Sequence, residues 1–263
     1  MLSIQHLLET QFSVRMGRDL TSAWLEERVD LLRRFTLPAV AAQTTDAFTW
    51  LLLCDETTDP EALEQLRAEE RRMPSMRIVM TSEDRRPLAA VRAAVRSDAD
   101  VLITTRLDSD DAIADGYVEA IQDYADSFHR SRQEHLLVNF PRGYRLDVPQ
   151  RRLYADWMQN SSFHSFFERP GRDLPRTVRG SGHSSLQRLY APYERLSILG
   201  KKDQGAAHVR LHQHYPTVQD ESMRAWLIAV HGGNVLNCIG PKDRELPEGA
   251  QPDGFTLAPA PAS

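Results

Sequence analysis

Short hydrophobic runs alternate with segments of helical periodicity along the first two thirds of the chain. The strand-like runs, rich in consecutive apolar and β-branched residues, lie within residues 4–16 and at residues 48–54, 76–81 and 100–105. The helical segments, with apolar residues near every third or fourth position, cover residues 21–42, 60–72, 87–97 and 113–127. Alternation of this kind predicts an α/β fold in which a mostly parallel sheet carries helices on both faces.

Proline and aspartate mark two of the predicted helix boundaries. Pro38 falls inside the segment 21–42 and predicts a kink or a junction there, because proline cannot donate the backbone hydrogen bond of a helix interior. Asp59 precedes Pro60 and predicts the N-cap of the next helix, with the proline in its first turn.

The pattern changes after residue 130. Residues 135–140 and 143–158 read as antiparallel strands, the second range forming a hairpin around Pro149 and Gln150. Residues 159–221 are rich in Ser, Gly, His, Arg and Pro with weak periodicity, which predicts long functional loops. Five prolines among the last 23 residues predict a flexible tail over residues 241–263. We therefore expect one domain over residues 1–240.

Composition narrows the class of protein. A chain of 263 residues with 41% hydrophobic residues can be served by one core, and a net charge of −5 supplies no sequence-wide basic surface for nucleic acid. No run approaches the roughly 20 apolar residues of a membrane span, and the first residues lack a signal-peptide pattern, so we expect a cytoplasmic protein with no transmembrane segment. Cys54 and Cys238 form no CxxC pair, and both are interpreted as buried free thiols.

An acidic cluster directly follows the strand at residues 100–105. Asp108, Asp110 and Asp111 place three carboxylates within four residues, and a divalent cation would relieve their repulsion. Hard oxygen ligands suit Mg²⁺ or Mn²⁺, and the carboxyl ends of parallel strands are where open α/β sheets place their sites. The alternative is that these residues only form a turn that caps the next helix.

The motifs of this half resemble those of family-2 glycosyltransferases. LPAVAAQT at residues 37–44 and FTWLLLCDETTD at residues 48–59 resemble their helix, "QT" turn, strand and acidic loop, and DSDDAI at residues 108–113 resembles their "DSDD" motif. A closer resemblance, over roughly residues 4–240, is to a bacterial family described as putative rhamnosyltransferases. The segments that carry it are FSVR at 12–15, WLEER at 24–28, the turn at Gln43, TRLDSDD at 105–111 and HGGNV at 231–235.

This resemblance implies a GT-A-type, Rossmann-like sheet flanked by helices, with a smaller antiparallel region on the acceptor side. Residues 1–128 would form the half that binds the nucleotide sugar and residues 129–240 the half that binds the acceptor. Asp55 would lie near the nucleobase, Asp108 near the ribose or the metal, and Asp110 would be the direct ligand of Mn²⁺ or Mg²⁺. Thr57 and Thr58 stand where family-2 enzymes have a "GS" pair, so backbone approach to the base would differ there.

Two arginines are candidates for the diphosphate. Arg15 follows the first strand and Arg106 stands beside the acidic cluster. Arginine binds phosphate bidentately and always carries charge. For Arg106 an ion pair with the cluster is the alternative role.

The acceptor side needs a base if the reaction inverts stereochemistry. Asp220 or Glu221 is the candidate, because GT-A inverting enzymes commonly take the base from a late acidic loop before a helix. The alternative for Asp220 is the N-cap of a helix over residues 223–230. Trp157 is a candidate wall of the acceptor cleft.

The late histidines offer a further metal ligand. His231 is preferred among them because it ends an apolar run and enters a Gly-Gly turn that allows close backbone approach, with a structural role as the alternative. His183 could contact the acceptor or a phosphate. Three more cluster late in the chain: His208, His212 and His214.

The leading hypothesis is a metal-dependent glycosyltransferase that moves L-rhamnose or another deoxyhexose from a dTDP-, UDP- or GDP-linked donor to a hydroxyl of a glycan or small molecule. A homodimer is compatible with it. A nucleotidyltransferase is the second enzyme hypothesis, although the chain has no GxxxxGK[ST] sequence. A non-catalytic sugar-nucleotide-binding or scaffold protein is the third, because fold does not fix function.

Overall fold

The computed structural model describes residues 2–14, 20–82, 86–159, 161–171, 174–178, 215–233, 237–240 and 243–259. Its helices are α1 (Ser22–Leu31), a π-helix (Leu32–Thr36), α2 (Leu37–Ala41), α3 (Pro60–Arg72), α4 (Pro87–Ala93), α5 (Tyr117–Gln122) and α6 (Tyr124–Arg130). Its strands are β1 (Ile4–Gln11), β2 (Thr49–Asp55), β3 (Met76–Thr81), β4 (Val101–Arg106), β5 (Ala112–Ile113), β6 (His135–Asn139), β7 (Arg142–Asp147), β8 (Arg152–Trp157), β9 (Ser165–Glu168), β10 (Thr217–Gln219), β11 (Trp226–Val230) and β12 (Arg244–Glu245).

A seven-stranded sheet, ordered β10-β6-β9-β4-β1-β2-β3, forms the centre of the fold. Strand β9 runs antiparallel to both of its neighbours, and the other adjacent pairs are parallel. The prediction of an α/β fold with a central, mostly parallel sheet is confirmed. The sheet also takes in β6, β9 and β10, so the chain beyond residue 130 completes the same sheet that the first half begins.

Both faces of the central strands are buried, as the uninterrupted apolar runs predicted. Along β2, Leu51 and Leu53 pack with the cluster that contains Leu102, whereas Leu52 belongs to the cluster on the opposite face with Ile103. Helices therefore cover the sheet on two sides. Cys54 is buried, and burial raises the pKa of its thiol to about 12. Cys238 is exposed, so the prediction that it is buried was wrong.

The predicted helix boundaries hold where local chemistry sets them. Asp59 Oδ1 accepts hydrogen bonds from the backbone N–H groups of Glu61 and Ala62, at 2.9 and 3.3 Å, and Pro60 opens α3. The junction expected near Pro38 is the π-helix, after which Pro38 falls in the first turn of α2. A proline costs no hydrogen bond in a first turn.

A second, five-stranded sheet is ordered β12-β8-β7-β11-β5. It contains the predicted hairpin, β7 and β8, which pair antiparallel. Two sequence predictions were wrong here: residues 112–113 form β5 instead of opening a helix, and residues 226–230 form β11 instead of a helix. The region expected to hold only loops also contributes β9 and β10.

Packing around Trp226 explains why β11 is a strand. The Trp226 indole is fully buried, lies parallel to the Phe163 ring with centroids 5.5 Å apart, and donates to the Phe140 carbonyl at 2.8 Å. Gly143 faces it from β7, and a Cβ there would lie 2.2 Å from the indole. Gly143 therefore lets β7 pair with β11 beside the Trp226 indole. The periodicity of the local sequence does not reveal this contact between distant parts of the chain.

The C-terminal segment over residues 243–259, expected to be a loose extension, packs against the second sheet. Strand β12 pairs with β8, and Leu246, Phe255 and Leu257 contact the apolar cluster of that sheet. Backbone hydrogen bonds also join this segment to Asp115 and Arg34, through Gly254 and Ala258. The proline content of this segment therefore did not predict that it packs against the second sheet.

A buried polar network crosses the central sheet. His6 on β1 is 2% exposed, and its Nε2 lies 2.8 Å from Thr105 Oγ1 on β4. Thr105 in turn hydrogen-bonds Ser165 on β9, at 2.5 Å. Burial lowers the pKa of His6 to about 3, so the folded protein holds this imidazole neutral.

This shift predicts a loss of stability in acid that can be assigned to one side chain. An unfolded His titrates near pH 6.5, so between pH 6.5 and 3 the unfolded state binds a proton that the folded state excludes. The contribution is complete above pH 6.5 and falls as the pH drops, by about 2 kcal/mol between pH 7 and pH 5. Urea denaturation of the native protein and of His6→Gln at these two pH values measures it. The variant should lose about 2 kcal/mol less, and equal losses in the two proteins would contradict the assignment.

Candidate functional site

Several predicted site residues lie at one edge of the seven-stranded sheet. Strands β2, β4 and β10 all point their carboxyl ends to this edge, because β4 and β6 are both antiparallel to β9 and β10 is parallel to β6. Asp55 ends β2, Asp108 follows β4, and Asp220 follows β10. Counted in strands, Asp55 lies roughly 10 Å and Asp220 roughly 14 Å from the β4 position.

Asp110 is the most tightly held carboxylate of this edge. Its Oδ2 accepts from Arg28 Nη1 at 2.8 Å and from His231 Nε2 at 3.0 Å, and its side chain is 10% exposed. Burial alone would raise the pKa of Asp110, but the hydrogen bond from His231 and the charge and hydrogen bond of Arg28 outweigh it and hold the pKa below its ordinary value. Asp110 is therefore ionised at neutral pH.

His231, predicted from the sequence as a further metal ligand, contacts Asp110. The Gly233 N–H donates to His231 Nδ1 at 3.1 Å, and Glu27 Oε1 lies 3.7 Å from the same nitrogen. With Nδ1 accepting from the Gly233 N–H, it is Nε2 that donates to Asp110. In this arrangement Nε2 orients the carboxylate instead of offering a lone pair to a metal.

Asp111 points into the protein instead of toward the edge. Its side chain is buried and Oδ1 accepts from the Ala229 N–H at 3.1 Å, while its carbonyl accepts from Thr36 Oγ1 at 2.8 Å. Burial, followed by the charges of Asp110 and Asp108, raises the pKa of Asp111 well above its ordinary value. Asp111 thus joins β11 and the π-helix to the cluster and is not a candidate ligand.

Asp108 is the more accessible carboxylate, with its side chain 34% exposed. Arg106 Nε and Nη2 donate to Asp108 Oδ1 at 3.0 and 2.9 Å, and Nη2 also lies 3.2 Å from Oδ2. The ion pair that the sequence left open for Arg106 is present. The Arg106 side chain is 24% exposed.

A divalent cation fits Asp108 and Asp110 only if it can bind in competition with the arginines that already pair with them. The sequence argument rested on repulsion among three carboxylates, but Arg106 compensates Asp108, Arg28 compensates Asp110, and Asp111 is turned inward. Within the described ranges, no group of three or more His, Cys, Asp or Glu side chains is arranged to hold a metal. Mg²⁺ in proteins commonly takes one or two carboxylates and completes its shell with water and substrate phosphates. Asp108 and Asp110 match that kind of site.

Asp55 organises the turn that follows β2. Its Oδ1 accepts from the Thr57 N–H at 3.0 Å and from the Thr57 hydroxyl, and its carbonyl accepts from the Thr58 N–H at 2.9 Å. Thr58 Oγ1 lies 2.7 Å from Ser13 Oγ, which ties this turn to the end of β1. The two threonines that replace the expected "GS" pair therefore shape the loop through their hydroxyls.

Asp220 is fixed by two donors. The Tyr124 hydroxyl donates to Oδ2 at 2.6 Å and the Ser222 N–H to Oδ1 at 2.8 Å. Burial would raise the pKa of Asp220, but these hydrogen bonds outweigh it and lower the pKa. The alternative role of Asp220, as the N-cap of a helix over residues 223–230, is wrong, because residues 226–230 form β11. The neighbouring Glu221 is exposed and accepts from Arg142 through its carbonyl, at 3.1 Å.

Sequence reasoning missed three contributors to this site. Arg28 stood in a quoted motif, but only the tertiary structure brings it to Asp110. Thr36 and Tyr124 carried no recognisable signal, since each acts on a residue at least 72 positions away. Five predicted site residues lie outside the described ranges: Arg15, His183, His208, His212 and His214.

The fold and this edge define an α/β protein whose predicted site residues lie beyond the carboxyl ends of its parallel strands, where open α/β sheets bind their ligands. A family model described as "Putative rhamnosyl transferase" matches residues 13–190. The chain belongs to this family, as the motifs had predicted. It is thereby a member of a glycosyltransferase-like family.

Solved structures provide further similarities. Residues 1–349 of TarS from S. aureus share 11% identity at a TM-score of 0.41, with 87% of this chain and 60% of that chain covered. A protein from Desulfovibrio desulfuricans G20 described as a "putative nucleotide-diphospho-sugar transferase" shares 10% identity at a TM-score of 0.41, with 84% of this chain and 81% of that chain covered. The mannosyltransferase PcManGT from Pyrobaculum calidifontis, in complex with GDP-Man and Mn²⁺, shares 10% identity at 0.40, covering 88% and 58%. This chain thus spans about six tenths of the length of the first of these structures.

No curated protein sequence matches the chain. Among the described helices, none combines the length and the apolar character that crossing a membrane requires.

Proposed function

We propose that this protein is a metal-dependent glycosyltransferase that moves a sugar, L-rhamnose or another deoxyhexose, from a nucleotide-sugar donor to a hydroxyl of a glycan or small molecule. The observation that carries the proposal is the placement of Asp110, held by Arg28 and His231, and of the accessible Asp108 at the carboxyl edge of the sheet. Folding does not require an ionised carboxylate in this buried position. Sugar transfer, in contrast, needs groups that control the negative charge developing on the leaving nucleoside diphosphate.

On the donor side, Asp108 and Asp110 would hold Mg²⁺ or Mn²⁺. The bound cation would stabilise the negative charge that develops on the leaving nucleoside diphosphate. Arg106, which is 24% exposed beside Asp108, would add a donor for the same phosphates. Asp55 and its threonine turn would meet the nucleobase two strands away.

On the acceptor side, Asp220 would take the proton of the attacking hydroxyl. The Tyr124 hydroxyl and the Ser222 N–H hold its carboxylate in one orientation and keep it ionised. A low pKa limits its strength as a base, so positioning would have to supply much of its effect. Trp157, which is 54% exposed on β8, offers an aromatic face for the acceptor. Glu221 is the alternative base.

A thermal-shift panel tests the proposal. UDP, GDP, dTDP and their available sugar conjugates are added with and without Mn²⁺, because a ligand that binds only the folded state raises its melting temperature. We expect one nucleotide to give a shift of several degrees that requires Mn²⁺. Incubation of the matching nucleotide sugar with the protein should then release the free sugar slowly through transfer to water.

The same panel separates the alternatives. Cleavage of the nucleotide sugar to a nucleoside monophosphate and a sugar 1-phosphate, in place of a nucleoside diphosphate and the free sugar, would indicate a nucleotidyltransferase. Binding of a nucleotide sugar with no turnover on any acceptor tested would favour a non-catalytic sugar-nucleotide-binding protein. The absence of any shift with every nucleotide, in the presence and in the absence of Mn²⁺, would argue against the proposed donor site.

A further inference from the structure

Arg28 occupies the position on Asp110 where a cation would be expected to act. Its Nη1 lies 2.8 Å from Asp110 Oδ2, and its side chain is only 18% exposed. The guanidinium also lies over the Trp24 ring, 5.4 Å from the centroid. A positive charge is therefore already packed against the carboxylate that the proposed function assigns to a metal.

This placement is costly for folding alone. Arg28 Nε is buried and has no hydrogen-bond partner among the described residues, although an enclosed N–H normally finds an acceptor. A single Nη1 contact holds the charged end on one carboxylate oxygen, and that oxygen also accepts from His231. The guanidinium is thus fixed less firmly than a bidentate arginine such as Arg106.

We propose that Arg28 is the internal counter-ion of Asp110 and that a divalent cation must displace it from the carboxylate. This inference rests on the proposed function, because it takes Asp110 as a metal ligand. Two positive charges on one carboxylate repel each other, so the cation and the Arg28 contact compete for Asp110. The protein without nucleotide would then bind the metal weakly. Contacts between the metal and the phosphates of the donor would offset the free energy lost when the Arg28–Asp110 ion pair breaks.

The experiment titrates Mn²⁺ alone into the full chain at pH 7.5 and reads the free Mn²⁺ signal by electron paramagnetic resonance. Arg28→Gln removes the competing charge, and we expect the dissociation constant for Mn²⁺ to fall about tenfold. Arg28→Lys retains a charge and should stay near the native value. The matched control is Arg33→Gln, which breaks a different ion pair, with Glu69, and should leave the dissociation constant unchanged.

Two further variants keep the outcome decisive. Trp24→Leu removes the ring under the guanidinium without touching Asp110, and should tighten Mn²⁺ binding about twofold even if Arg28→Gln does not fold. Asp110→Asn should abolish the site. An unchanged dissociation constant in Arg28→Gln, with binding lost in Asp110→Asn, would overturn the counter-ion role and leave the proposed metal site intact. No Mn²⁺ binding in any of the proteins would overturn both.

Discussion

Asp110→Asn is expected to lower the rate of sugar transfer about a thousandfold. The substitution removes the ionised carboxylate at the donor edge, while its amide oxygen can still accept from Arg28 and His231, which share one carboxylate oxygen in the native protein. The negative charge that would hold the cation is lost. The measurement is kcat with the nucleotide sugar that the thermal-shift panel identifies, together with the Mn²⁺-dependent shift, which should disappear.

The matched control for this prediction is Asp126→Asn. Asp126 also pairs with an arginine, Arg130, but it lies exposed on α6, where an ion pair contributes little. Its transfer rate should remain within a factor of two of the native value. Transfer by Asp110→Asn at more than a third of the native rate would show that Asp110 neither holds the metal nor controls charge at the leaving group.

Asp220→Asn should reduce kcat about a hundredfold to ten-thousandfold while leaving donor affinity nearly unchanged, because it removes a base and no donor contact. The Tyr124 hydroxyl could still donate to the amide oxygen, so the loop should keep its shape. The test compares kcat for transfer with the nucleotide thermal shift, which reports binding only. Native protein and variant should give the same shift.

Glu221→Gln serves as the comparison for this prediction, since it alters the neighbouring, exposed carboxylate by the same chemistry. Its kcat should change by less than about threefold. A large loss in Glu221→Gln with an active Asp220→Asn would exchange the roles of the two residues. If both variants remain active, the base lies outside this segment.

Particular elements show which parts of the fold the sequence could predict. The runs at β2 and β4 were recognisable because strands buried on both faces are apolar throughout, and α3 was bounded by its own Asp59 and Pro60. The position of β9 between β4 and β6 was not recognisable, because its four residues pair with strands that lie about 30 and 60 positions earlier. Local periodicity carries no information about such partners.

The same division applies to the site. The spacing of Asp108 and Asp110 after β4 predicted an acidic edge, and the topology then determined which other residues reach it. Asp55 and Asp220 lie at the same edge only because β9 is antiparallel to both β4 and β6, so that β4, β6 and β10 run in the same direction. Asp111, identical in type to its neighbours, was turned inward by the Ala229 N–H.

The sequence by itself determined the α/β class, the main strands and helices of the first half, the family, and the acidic motif, because each depends on residues within about one element of each other. Only the tertiary structure decided that residues 226–230 form a strand, that residues 243–259 pack on the second sheet, and that Arg28 lies on Asp110. These features depend on contacts between distant parts of the chain. Their energies come from burial, charge compensation and a close approach at Gly143, none of which a local pattern contains.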